Sequence, residues 1–209
     1  MKLRTNQTLY TYWNELRAGR IAPRRLEVEP SRISPVLAET FMLERTAPST
    51  FRFRLAGTRL CEIFGQELRD TDLLEGWRPP DRAQLTRSLA CTCSQGAATL
   101  FVLEASTPSR KRVQLEGILL PLVHGDGNDT IDRVIGAMAP MLSPHWLGHE
   151  PLIEKDLVRQ ELIWPDGRPH AVVERAKGRA PFHAALPQGR ILTDIRRRFR
   201  VVEGGRGKG

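Results

Sequence analysis

The amino-acid sequence predicts an α+β domain in which an antiparallel five-stranded sheet carries helices on one face, with a helix before it and a basic extension after it. Three observations carry that expectation. Two-residue alternation appears in Phe51, Phe53 and Leu55 and again in Val113, Leu115 and Gly117. Between those segments the period lengthens to that of helices, with Leu85, Leu89 and Cys93 four residues apart. The strand candidates are joined by short turn-rich connections, TAPST and TPSRK, of the kind that link antiparallel neighbours.

Residues Thr8 to Ala18 place Leu9, Trp13 and Leu16 on one stripe, an amphipathic helix stopped by Gly19 and Pro23. Its apolar face needs cover, either from its own domain or from the same helix of a second copy, and the second is expected, which makes the chain a homodimer. The stretch PRRLEVEPSRISP reads as a linker or short turns. TFMLER at 40–45 then forms a hairpin with 51–56. Thr58 is expected to cap a short helix bearing Leu60, Ile63 and Phe64, with Gly65 ending it. Asp72 can cap a turn through DLLEGW. Asp81 with Gln84 three residues later predicts a capping-box start for a longer helix that ends near Gly96. Three more strands follow near 98–106, 111–123 and 131–140, the middle one becoming apolar on both faces. EPLIEKDLVRQELIW is compatible with a helix. The expected divisions are 1–36 for the flanking helix and linker, 37–146 for the domain, and 147–209 for the extension.

A chain of 209 residues suits one domain with extensions or two small ones. With 27% charged residues and 40% hydrophobic ones it has the composition of a globular protein. Apolar runs such as GILLPLV are far shorter than the ~20 residues of a membrane helix. The first twenty residues lack the apolar core of a secretion signal. Three cysteines, two of them at Cys91 and Cys93, fit reduced thiols in the cytoplasm. The net charge of +8 is uneven: residues 171–209 hold ten Lys/Arg against three Asp/Glu, whereas the preceding 170 are near neutral.

Five segments in this order, YWNELRAGRIAPRR, FRFRLAGTRLCEIFGQELR, GILLPLVHGDG, VIGAMAPMLSPHWLGHEPL and RFRVVEGGR, resemble those of the single-PAS-domain proteins common in alphaproteobacteria. The resemblance covers almost the whole chain, more weakly at 70–109 and 153–197. It implies a PAS-like fold and a regulatory role, and it implies no particular ligand.

The residues themselves argue against the cofactors such domains can carry. Haem needs an axial ligand, and no histidine precedes His124. Light-sensing flavin domains of the family carry a cysteine in an asparagine-cysteine-arginine motif, which neither RLCEIFG nor ACTCSQ resembles. A single C-x-C pair falls short of a structural zinc site, so Cys61 and Cys93 read as small core residues. His145 and His149 in HWLGH lack the acidic partner of a metalloprotease motif, and Trp146 is expected to pack inward there. GGRGKG is no phosphate loop, and no serine sits in a nucleophile elbow, so an enzyme is not expected.

What remains is a stand-alone sensor or signalling adaptor acting through a protein partner in the cytoplasm. Any ligand cavity should lie between helices and sheet, lined by Phe53, Leu55, Leu60, Phe64, Leu85 and Leu89, unless those residues close-pack as core. The alternative is a nucleic-acid-associated protein whose tail binds through Arg196, Arg197, Arg198 and Arg200 around Phe199.

Overall fold

Six antiparallel strands form one sheet in a computed structural model that describes residues 1–124 and 130–170. The strands are β1 (Thr40–Ala47), β2 (Thr50–Ala56), β3 (Ala98–Ser106), β4 (Arg112–Val123), β5 (Ile131–Pro140) and β6 (Glu154–Ile163), in the order β2-β1-β5-β4-β3-β6. Three helices accompany them: α1 (Arg4–Arg17), α2 (Thr58–Phe64) and α3 (Pro79–Gln95). The proline-rich stretch forms two 3-10 segments, Arg25–Glu27 and Pro30–Glu39; Pro30 opens the second, and Pro35 inside it would break an α-helix.

The sheet is buried on both faces, not one. On the first face α2, α3 and the connection between them cover Phe41, Phe53, Phe101, Leu115 and Met138. On the second, α1 and residues 30–39 cover Leu100, Ile118, Leu120, Leu122 and Ile135. The alternation that opens β4 accordingly stops short of Gly117. From there the strand runs apolar, because each side chain meets a protein layer whichever way it points.

The helix α1 belongs to this chain's own core, which corrects the expected dimer surface. Leu9 and Trp13 are 0% and 1% exposed, and Trp13 Nε1 donates to the carbonyl of Pro121 on β4 at 2.8 Å. Leu16 packs against the same cluster. The stripe is covered by the sheet, so it has no need of a second copy. α1 and the strands lie in one compact unit.

Residues 154–163 form a strand, not a helix, and extend the sheet past residue 146. β6 pairs with β3 over its whole length, from Ser106 opposite Glu154 to Ala98 opposite Ile163. Its alternation is shallow because it is an edge strand whose side chains are half-exposed.

Two capping assignments also change. Neither Thr58 nor Asp81 caps its helix: Gly57 and Arg78 occupy the positions before α2 and α3, and Pro79 opens α3. The Asp81 carboxylate accepts instead from the backbone N–H of Leu157 on β6, at 3.1 Å. Gly57 is needed for space, since a Cβ there would lie 2.2 Å from the carbonyl oxygen of Ala38. Gly65 ends α2 in the left-handed conformation, as the sequence predicts (φ 64°).

Candidate ligand-binding cleft

A cleft of about 390 Å3 opens between the first face of the sheet and the chain running from α2 towards α3. Its floor is sheet: Phe53 from β2, Phe101 and Leu103 from β3, and Met138 from β5. Its roof is Phe64 at the end of α2 with Leu68, Leu73 and Trp77 from the connection. Leu152 and Ile153 close the side towards β6. Two glycines set the depth of this floor. Phe101 lies across Gly117 of β4, where a Cβ would come within 2.3 Å of its ring, and Phe41 lies across Gly136 of β5 in the same way. Phe41 in turn supports Phe53, ring centroid to ring centroid at 5.4 Å.

The mouth is polar. Thr71 donates its hydroxyl to the carbonyl of Leu68 at 2.7 Å. Asp72 Oδ1 accepts from the backbone N–H groups of Phe51 and Leu74, at 3.0 and 3.2 Å, so this carboxylate pins the connection to β2 and caps the turn as the sequence suggests. Its other oxygen lies 3.9 Å from Arg82. Lys155 reaches across from β6: Nζ donates to the carbonyl of Glu75 at 2.7 Å and lies 5.5 Å from the centroid of the Trp77 ring. Burial lowers the proton affinity of this ammonium below that of an ordinary lysine, against the opposing pull of Glu75 and Asp72. Trp77 itself is fixed by donation from Nε1 to the carbonyl of Leu73 at 2.9 Å.

Of the six residues expected to line a cavity, the cleft brings together two, Phe53 and Phe64. Leu60, Leu85 and Leu89 are fully enclosed in the core behind it. Leu55 points the other way and is 58% exposed. The cause is a bulge: Phe53 pairs with Leu43 and Leu55 with Met42, two adjacent β1 residues, so the chain slips by one at Arg54 and the two side chains fall on opposite faces. The cleft residues from 68–77 and from β6 lie in segments without a clear period. DLLEGW marks a turn but says nothing of the direction Trp77 takes.

The remaining candidates among the described residues do not line the cleft. Cys93 is buried in α3, where loss of water pushes its thiol up to about 12, and Cys61 lies at the core margin. No group of three metal-ligating side chains occurs among the described residues. Trp146 packs on the core with Lys111 over its ring, as expected for HWLGH. Arg196, Arg197, Arg198 and Arg200 lie outside the described residues.

The chain belongs to the PAS domain family, whose model matches residues 1–139. PAS domains are sensory and signalling modules. Among solved structures the chain is similar to the Rhodobacter sphaeroides LOV protein at 13% identity, with a TM-score of 0.40 over 56% of this chain and 71% of that one. It is also similar to a Drosophila melanogaster Cycle PAS-B domain with bound glycerol, at 16% identity and a TM-score of 0.36, over 48% of this chain and 99% of that one. No curated protein matches the chain. No helix among the described residues is long and apolar enough to cross a membrane.

Proposed function

We propose that the protein is a cytoplasmic small-molecule sensor that holds a mostly apolar ligand in this cleft and reports its presence to a protein partner, with no catalytic step of its own. One observation carries the reading: a concave site of about 390 Å3 with aromatic and aliphatic walls and a few polar groups at its mouth. Ligand sites in proteins typically occupy roughly 300–1,000 Å3 and have that division of polarity. The polar groups at the mouth are arranged to hold structure and orient a guest. Thr71 donates to a carbonyl and Asp72 accepts backbone N–H groups, so neither is set up as a nucleophile or base. Membership of a sensory family supports signalling to a partner, and the stripe of Leu9, Trp13 and Leu16 is covered by the chain's own sheet.

The neutral fluorophore N-phenylnaphthylamine tests the reading, since it brightens on leaving water. The wild-type protein should enhance its emission with saturation at one equivalent. Leu103→Trp, which fills the floor of the cleft, should abolish the enhancement while circular dichroism stays native. Equal enhancement by both proteins would mean that the probe binds elsewhere and would defeat the proposal.

A further inference from the structure

We propose that the cleft selects ligands with a single carboxylate on an apolar, flat body, the carboxylate being held by Lys155. This deepens the sensor reading and rests on it. The body of such a ligand fits between aromatic surfaces: Phe53 and Phe101 from the sheet below, Phe64 and Trp77 above. Flat aromatic walls favour stacking over the looser packing of a branched aliphatic group.

The mouth carries charges of both signs. Lys155 is the one cation among the described residues that line it. Of its three N–H groups one is given to the carbonyl of Glu75, which aims the ammonium along the rim and leaves two donors for a guest. The two carboxylates at the mouth act on it only through space, without contact. Asp72 is engaged with two backbone N–H groups and faces Arg82, and the contact Lys155 makes with Glu75 is to its backbone carbonyl, not its carboxylate. Burial weakens the hold of this lysine on its proton, and an anion brought within hydrogen-bond distance would compensate that cost. A charge-assisted hydrogen bond to carboxylate in a partly desolvated site is about twice as strong as a neutral one.

Lys155 comes from β6, beyond the residues that match the family model. The carboxylate-reading group therefore lies on an edge strand outside the matched segment. A ligand held there would touch both the connection carrying Trp77 and the strand carrying Lys155, and so tie the two together.

The test compares naphthaleneacetate with naphthaleneacetamide, which share a ring system and differ in charge. Binding to the full chain is followed by Trp77 fluorescence, with Trp77→Phe identifying its share, and by titration calorimetry. Wild type should prefer the acid by at least about tenfold. Lys155→Met should remove that preference by weakening the acid alone, and Lys155→Arg, which keeps the charge, should retain most of it. Equal affinity of wild type for acid and amide would overturn the carboxylate selection and leave the sensor reading standing. Failure of both compounds to bind would overturn both readings. A preference that survives in folded Lys155→Met would assign the charge selection to another group and defeat this proposal.

Discussion

Trp13 shows how one side chain settles a question that the sequence left between two answers. A Leu-Trp-Leu stripe states that a helix face must be covered, and its chemistry is the same whether the cover is a second copy or the chain's own sheet. The deciding contact is to Pro121, more than a hundred residues away, whose carbonyl meets the indole N–H. Trp13→Ala should therefore cost about 3–5 kcal/mol of stability, the usual range for removing a buried Trp, and leave the Pro121 carbonyl without its donor. Urea unfolding measures the loss, and light scattering should show the same oligomeric state in variant and wild type. A variant that keeps wild-type stability but changes its state of association would return the stripe to an intermolecular role. Leu55 is the converse case. Its alternation with Phe53 is regular in sequence, but a one-residue slip at Arg54 reverses its face, and nothing in the residue types announces a bulge.

At the scale of elements, α1 is held to the sheet by a device that local sequence patterns do not contain. No side chain near its start caps it. Instead Glu116 of β4, 0% exposed, accepts the backbone N–H groups of Lys2 and Leu3 at 2.9 Å and the Asn6 amide at 3.1 Å. A carboxylate at a helix N-terminus also meets the positive end of the helix dipole. Burial alone would raise the proton affinity of Glu116, but the Leu3 and Lys2 N–H groups and Asn6 outweigh it, so the folded carboxyl sits below the usual range. Its contribution to stability is then complete above the ordinary glutamate range and is lost as pH falls through that lower value. Glu116→Gln should lower stability at neutral pH by roughly 1–3 kcal/mol, and the gap to wild type should narrow in acid. Denaturant melts across pH check this; a gap of constant size would show that the charge plays no part.

The element that sequence reading missed outright is β6. EKDLVRQELI has charges at several positions, as edge strands do to discourage stray pairing, and those charges at mixed spacings fit a solvated helix equally well. Only pairing with β3 distinguishes the two, and pairing is not a local property. The hairpin β1–β2, helix α3 and strands β3 to β5 were legible because each buries one consistent face or, for β3 to β5, both.

At the scale of the molecule the sheet divides the core into two clusters, and only one of them borders the cleft. The doubly apolar run of β4 was the sequence's signal for the second layer, since a strand covered on one side alternates and this one does not. The first layer's cleft was legible as a location between helices and sheet, and the periodicity of Phe53 and Phe64 points to two of its walls. The remainder comes from the connection at 68–77 and from β6, where no periodicity tells a side chain's direction. Two-sided burial gives the account a built-in control, because a ligand in the cleft should disturb one cluster and spare the other. The chain has four methionines, of which Met138 lines the cleft floor and Met42 packs in the opposite cluster. With methionine methyls labelled with carbon-13, adding naphthaleneacetate should shift the Met138 resonance progressively to saturation while Met42 stays in place. An unmoved Met138, or a Met42 that shifts as far, would contradict the assignment of the cleft as the ligand site.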